Sequence, residues 1–583
     1  MKHAIERLRS SILFLPLTAV LFLPGCGNQE QAPMAGGSGG RPPAPVVVAS
    51  VEQRDIPVQI QAIGNVACSA AIAQTPLPAR DVSDASLRVL QVDAGKMTGK
   101  IRSFQGLNGP PSPIMRGLPD LGRQYKDLRI DMIRTHDIMG PTDIAAHYSG
   151  DNPLLAWLIP DRGQRDDLVN AANASAVFPN WNADPEKPES YHFAASDKYI
   201  QSIREAGAQV YYRIGRSFGA DYTALPDFEK FASVVKHIAM HYNHGWANGF
   251  HDNIRYWEFW NEPDLPFFWT ENADRFYSLY EKSARALKLV DPSMKVGADA
   301  QALAFNGGPY REGFIEYCAV HKVPLDFYSW HYYAMNSADP YDMVRIGDDI
   351  RKLLDANGFR NAESVLSEWN LTPDFTERER ARLQGMENAA FVGDVLIYLQ
   401  ASAVDRAQFY RGDAAWMGLF GLHGEYFKPA YTFRATGEML KTPERVELTG
   451  ADTFGFAAIA GRSPDGKTVQ VLISNYEIPA DYKAPLMEAP AGSVPANIPT
   501  PDFSKIKALS PRKDIRYRDN RGYELMIRNL PWGKEGSFTV KRYRLSEGQD
   551  FAAAEEVSAS GDRIKIRNPL PPPALELIVL QIR

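Results

Sequence analysis

From Ser86 onward, short β-prone apolar runs alternate with longer stretches of helical periodicity, and this alternation limits the fold more than any other feature of the chain. Strand candidates fall at 101–107, 130–135, 208–214, 254–260, 295–299, 325–331, 364–369 and 406–410. Helical candidates between them include Asp227–Tyr242, Asn272–Leu289, Arg311–His321, Tyr341–Ala356 and Met386–Ala401. In the helix starting near Asn272, Phe276, Leu279, Tyr280 and Ala284 recur every three or four residues and form one apolar face. Repeated strand–helix units imply a parallel sheet, and eight of them close into a (β/α)8 TIM barrel, an α/β fold. An open, doubly wound sheet is the rival, but no Gly-rich phosphate loop follows the first strand.

The barrel is assigned to residues 86–440. After about Leu440 the helical period fades and alternating runs such as 457–460, 469–473, 523–527, 538–543 and 575–580 suggest an accessory β-sandwich over 441–583. Residues 86–100 can add a strand to that sandwich, and Pro-rich 486–501 reads as a long loop within it. Residues 137–195 are too long for an ordinary connection between strand and helix and carry Trp157, Phe178, Trp181 and Tyr191. At the C-terminal face of a barrel such a segment reads as a lid or specificity wall.

The start of the chain reads as an export signal. Lys2, Arg7 and Arg9 precede an apolar run from Ser11 to Leu23, too short to span a bilayer, followed by Leu23-Pro24-Gly25-Cys26. This ending resembles a bacterial lipobox with Cys26 as the lipidated residue. Gly27 stands where an inner-membrane retention signal would have aspartate. The expectation is an exported protein of a Gram-negative bacterium, periplasmic or held at the outer membrane by its lipid. Residues 27–85 read as a flexible linker, rich in Gly and Pro at its start. Within it, 44–66 resembles the start of efflux-pump periplasmic adaptors, but no coiled-coil hairpin follows and no efflux function is carried over. Lys+Arg total 64 against Asp+Glu 70, so there is no basic field for nucleic acid.

Two segments carry the chemistry. Trp260-Asn261-Glu262-Pro263 and Ser367-Glu368-Trp369-Asn370 each put one carboxylate at the end of a β-prone run. Barrel enzymes meet substrate at that end of the strand. Glycosidic bond cleavage needs two such carboxyls, one to protonate the leaving oxygen and one to attack or stabilise the anomeric carbon.

These residues resemble glycoside hydrolase family 39, which includes β-xylosidases and α-L-iduronidases. Val92–Ile101 is similar to the family's opening, and Ile133-Arg134-Thr135-His136-Asp137-Ile138 to its second barrel strand. Asn261-Glu262-Pro263-Asp264-Leu265 through Phe268-Trp269 resembles the acid/base segment, and Ser367-Glu368-Trp369 the nucleophile segment. The resemblance implies Glu262 as general acid/base and Glu368 as nucleophile of a retaining hydrolase. It implies that Asn261 donates to the sugar 2-hydroxyl, that Arg134 orients Glu368, and that His136 binds sugar hydroxyls. In Trp330-His331-Tyr332-Tyr333, Tyr333 would bond Glu368 and His331 would contact substrate. Trp369 and Trp416 would form aromatic walls. The eighth strand, Gln408–Asp413, departs from the family pattern and leaves the sugar undetermined; for a uronide, Arg213, Arg216 and Arg411 are the available cations. The rival from another class is a carbohydrate-binding lipoprotein without turnover.

No cofactor or metal is implied. His237 and His241 stand four apart, with His244 and His251 following, but a zinc-protease site would need Glu where Ile238 stands. The expected partner is carbohydrate; oligomeric state is not encoded legibly.

Overall fold

The computed structural model describes residues 87–583 apart from 114–117, 137, 153–154, 157–158, 160, 218, 221–224, 226, 266–267, 335–337, 373–376, 415–416, 479–511 and 513–519. Cys26, the adaptor-like 44–66, Trp157, Trp416 and all of the Pro-rich 486–501 therefore lie outside the described residues. Strand β1 (Leu87–Lys100) is followed by eight short strands: β2 (Gly106–Asn108), β3 (Met132–Arg134), β4 (Gln209–Ile214), β5 (Tyr256–Phe259), β6 (Lys295–Gln301), β7 (Phe327–Tyr333), β8 (Glu363–Asn370) and β9 (Arg406–Phe409). All neighbours among β2–β9 pair in parallel and β2 pairs with β9, closing the barrel.

Each expected strand is present, with its ends shifted by a few residues at most except at 101–107, where only Gly106–Asn108 pairs. Gly106 explains why closure falls there. A β-carbon at that position would lie 2.3 Å from the Ala407 carbonyl oxygen, so only glycine lets β2 approach β9.

The helices follow ordinary rules. Asn272 caps Ala273–Val290 by accepting from the Arg275 amide at 3.0 Å, and Phe276, Leu279, Tyr280 and Ala284 are wholly buried on its inner face. Asp227 caps Phe228–His244 in the same way, and Gly245 ends it at φ 73°.

Inside the barrel the side chains are layered. Met132, Tyr211, Tyr256, Phe327 and Val365 form an apolar floor from five strands. Two residues further along β3 and β5 the same inward parity places Arg134 and Glu258. In β7 it places Ser329, His331 and Tyr333 above Phe327. β8 breaks parity: Trp330 pairs with Leu366, but His331 pairs with Glu368, so an extra residue is inserted at Ser367. This irregularity turns Glu368 inward although Val365, three residues earlier, also faces the floor.

The segment at 137–195 contains the helix Arg162–Ser175, capped by Asp161, and packs Tyr148, Leu155, Val169 and Ala172 into a small core with Ala220, which follows β4. The accessory strands β10 (Glu444–Thr449), β11 (Phe456–Arg462), β12 (Thr468–Asn475), β13 (Gly522–Arg528), β14 (Ser537–Ser546), β15 (Gln549–Ser560), β16 (Ile564–Pro569) and β17 (Ala574–Ile582) join β1 in one continuous sheet, ordered β15-β14-β17-β12-β11-β10-β1-β13-β16. It closes over a shared core. Asn568 on the edge strand β16 donates at 2.9 Å to Glu576 on β17, six strands away in the sheet order, which requires the sheet to fold back on itself. β1 lies between β10 and β13, so the chain enters the accessory layer before it begins the barrel. Among the described residues no helix is long and apolar enough to cross a membrane.

Candidate active site

Arg134 organises the C-terminal mouth of the barrel. Its Nε donates to Glu258 Oε2 at 2.5 Å, Nη1 to Glu368 Oε1 at 2.7 Å and Asn108 Oδ1 at 3.1 Å, and Nη2 to Asn261 Oδ1 at 2.9 Å. Four side chains from three parts of the sequence thus converge on one buried guanidinium. Burial works against its charge, but Glu258 and Glu368 outweigh that and hold it protonated above its ordinary value.

Glu368 is held from three sides. Besides Arg134, Tyr333 donates its phenol to Oε2 at 2.8 Å and His136 Nε2 stands 3.2 Å from Oε1. Burial, and then the charge of Glu368, push the Tyr333 phenol well above its ordinary value, so it remains a donor. Burial and then Arg134 keep the His136 imidazole neutral, so its 3.2 Å contact with Glu368 sets a neutral ring, not a cation, beside the carboxylate.

Glu262 lies beyond the end of β5, in a left-handed turn (φ 46°) whose amide donates to the Ala300 carbonyl at 3.1 Å. Asp264, two residues on, accepts from the amides of Ala302 and Leu303 at 3.0 and 2.9 Å and ties this turn to the end of β6. The Glu262 side chain is 13% exposed and that of Glu368 5%. His331 Nδ1 is 2.8 Å from Glu262 Oε1 and 3.6 Å from Glu368 Oε2. One atom each from Glu262, His331 and Glu368 lie within 4.8 Å of one another, so an oxygen of Glu262 and one of Glu368 are no farther apart than that.

The state of His331 follows from its surroundings. It is wholly buried, and burial followed by the Arg134 charge holds it well below its ordinary value, leaving the ring neutral. Nε2 has no hydrogen-bond partner among the described residues. A proton there would bury an unsatisfied donor, so the favoured tautomer carries it on Nδ1 and donates to Glu262 Oε1. A proton on Glu262 is then carried by Oε2. The trio has a spacing that could hold a cation, but Arg134 and Tyr333 already direct donors at Glu368, and the adjacent guanidinium disfavours a dication.

His331 thus meets Glu262 in the place where contact with substrate was expected. Trp369 is corrected more sharply. It is wholly buried and meets Phe409 edge-on at a centroid distance of 5.1 Å, facing away from the site because Glu368 beside it faces in. Asn261 is buried with Oδ1 taken by Arg134, and its Nδ2 has no partner among the described residues. Glu258 and Asn108 were missed by sequence reasoning. The inward parity shared by Tyr256 and Glu258 was the available signal for the first; Asn108, at the end of a three-residue strand, had none.

Two of the four histidines considered for a metal are bound to protein. His237 Nδ1 meets the Ser233 carbonyl at 2.9 Å, and His241 lies between the Trp246 carbonyl at 2.9 Å and Asp197 at 3.0 Å.

A model of the family described as Glycosyl hydrolases family 39 matches residues 181–398. A beta-xylosidase from Geobacillus stearothermophilus is 28% identical over 166 residues, 25% of this chain and 32% of that protein. A beta-xylosidase from Caldicellulosiruptor saccharolyticus is 29% identical over 119 residues, 20% of this chain and 23% of that protein. The matched region therefore spans a third or less of these curated relatives. Among solved structures, a glucosidase from Croceicoccus marinus is similar with a TM-score of 0.71 and 32% identity, over 85% of this chain and 99% of that one. A monomeric beta-xylosidase from Caulobacter crescentus CB15 shares the fold at a TM-score of 0.59 and 17% identity, over 85% and 99% of the two chains.

Proposed function

The chain belongs to glycosyl hydrolase family 39, a family of O-glycosyl hydrolases, and from that premise we propose that it is a retaining, β-xylosidase-like enzyme acting on plant or bacterial oligo- and polysaccharides. The observation that carries this reading is the close approach of Glu262 and Glu368, with oxygens within 4.8 Å. Retaining enzymes set their carboxyl groups about 5–5.5 Å apart, whereas inverting ones leave about 6.5–9.5 Å for a water.

In the first step Glu262 gives its Oε2 proton to the glycosidic oxygen as the bond to C1 breaks. Glu368, ionised and held by Arg134 and Tyr333, bonds to C1 and forms a glycosyl-enzyme. Asn261 donates to the 2-hydroxyl through Nδ2, which has no partner among the described residues, a bond that strengthens as positive charge builds on the ring. In the second step Glu262 removes a proton from water, whose oxygen attacks C1 and releases Glu368.

Proton NMR of the sugar first released tests this: the anomeric configuration of the substrate is retained. Glu368→Ala with azide yields the glycosyl azide of inverted configuration. Release of inverted sugar by the unaltered chain would sink the double displacement.

The same reading takes the protein as exported and anchored through Cys26. Labelled palmitate is then incorporated by the native chain and not by Cys26→Ser; equal labelling of both would refute the anchor.

A further inference from the structure

The segment after β9 that departs from the family pattern forms a built feature of the mouth. Arg411 grips Asp413 with two parallel bonds, Nε to Oδ1 at 2.7 Å and Nη2 to Oδ2, and the residues are only 7% and 5% exposed. Arg411 Nη1 also donates to the Tyr410 hydroxyl at 3.1 Å. The Tyr410 ring lies 6.3 Å from His136 and 6.4 Å from Tyr333, the two residues that stand against opposite oxygens of Glu368. The Gly412 amide donates to the Asn108 carbonyl at 2.9 Å, which fastens this segment to the end of β2. There Gly109, at φ 85°, packs against the pair; a β-carbon on it would stand 3.4 Å from Arg411 Nη2 and 3.5 Å from Asp413 Oδ2.

The other two arginines considered for a sugar carboxylate also have protein partners. Arg213 faces inward from β4 with Nη2 3.4 Å from Asp143 and 3.1 Å from Ser217 Oγ, while its Nε and Nη1 have no partner among the described residues. Arg216 meets the Ile144 carbonyl at 3.4 Å. A sugar carboxylate entering here would find Arg411 and Arg213 already opposed by their own carboxylates, with Glu368 adding further negative charge. An uncharged sugar meets a different surface. A hydroxyl is both donor and acceptor, so a guanidinium–carboxylate fork can give to one hydroxyl and take from its neighbour.

Resting on the hydrolase reading above, we propose that the Arg411–Asp413 pair is the specificity element of the glycone site, reading hydroxyls on the ring carbons away from C1, and that the substrate is an uncharged pyranoside and not a uronide. Because the pair is nearly excluded from water, a sugar lacking those hydroxyls takes a hydrogen-bond partner from it that water replaces poorly, and discrimination is steep.

The test compares kcat/KM on the aryl β-xyloside or β-glucoside, whichever the unaltered full chain cleaves faster, with its 3-deoxy and 4-deoxy analogues and the aryl β-glucuronide. Asp413→Asn is expected to lower the parent rate about 100-fold while lowering at least one deoxy analogue by less than about threefold, because the interaction it removes is already missing there. Equal losses on parent and both analogues would overturn the proposal, as would cleavage of the glucuronide by the unaltered chain at a rate near that of the neutral glycoside. The glucuronide comparison needs no variant and holds if Asp413→Asn does not fold. Release from none of these glycosides by the unaltered chain would instead overturn the hydrolase reading, and this proposal with it.

Discussion

Glu258 and Glu368 share one cation: Arg134 gives Nε to the first at 2.5 Å and Nη1 to the second at 2.7 Å. The nucleophile candidate therefore receives only part of the guanidinium's field, because a second, wholly buried carboxylate draws on the same charge. Opposite charge favours the ionised form of a carboxyl, so removing the competitor strengthens the hold on Glu368. Glu258→Gln keeps the shape and can still accept from Arg134 and pair with Tyr211, which donates to Glu258 Oε1 at 3.0 Å in the native chain. The acid limb of its kcat/KM profile is expected to move to lower pH. An unchanged or upward-shifted limb would show that Glu258 does not act through Arg134.

His331 is assigned to Glu262, and that assignment has a kinetic signature. If its Nδ1 proton fixes which oxygen of Glu262 carries the acid proton, its loss matters most when the leaving group needs protonation. His331→Ala is expected to lower kcat/KM about 100-fold or more on alkyl glycosides and disaccharides. On a 2,4-dinitrophenyl glycoside, whose leaving group departs without help, the loss is much smaller. A uniform loss across leaving groups would instead assign His331 to Glu368, 3.6 Å away.

Asp299 makes a prediction about stability. It is wholly buried behind the Glu262 turn, and neither oxygen has a hydrogen-bond partner among the described residues. Burial, then the nearby Asp264 charge, push its carboxyl well above the ordinary 3.8. For a group with a raised folded-state pKa, the stabilising contribution is complete below the unfolded value and is lost as pH rises through the folded one. Asp299→Asn removes this loss. Its melting temperature should exceed that of the native chain at pH 7, with the difference shrinking toward zero as pH approaches about 4. A variant less stable at every pH would mean that the carboxylate is doing structural work.

Much of this site was readable from local pattern. Strand runs, helix caps and the Asn261-Glu262-Pro263 turn are short-range features, and all eight barrel strands overlap their expected ranges. What failed depended on which way a side chain points. Trp369 reads as a wall residue because it follows Glu368, yet alternate residues of a strand face opposite sides, so an inward Glu368 sends Trp369 outward. Inward parity at Glu368 itself depends on the insertion at Ser367, which no composition rule marks. Glu258 was passed over because a carboxylate in an apolar run reads as an exception; only the long-range arrival of Arg134 and Tyr211 gives it partners. The accessory strands β10, β15 and β16 were also missed. In β15, Glu555, Glu556 and nearly all their neighbours are exposed, so its sequence has no buried face to declare.

Besides the core shared by barrel and accessory sheet, Arg512 ties the two layers together. Its Nε and Nη2 hold Asp339 at 2.6 and 2.9 Å, Nη1 donates to Thr453 Oγ1 at 3.0 Å, and the guanidinium lies over the rings of Tyr341 and Phe454 at 4.9 and 4.6 Å. Tyr341 leads into the barrel helix Asp342–Ala356, while Thr453 and Phe454 lead into β11, so one side chain ties both layers. The Asp339 side chain is fully buried, and burial followed by the charge of Asp342 already raises its pKa. Removing the arginine alone leaves a carboxylate with its main cation gone; Arg512→Met should cost about 3 kcal/mol in denaturant unfolding. Replacing both partners leaves no stranded charge, so Arg512→Met with Asp339→Asn should recover most of that loss. Additive losses in the double variant would show that the rings of Tyr341 and Phe454, and not the ion pair, hold Arg512 in place.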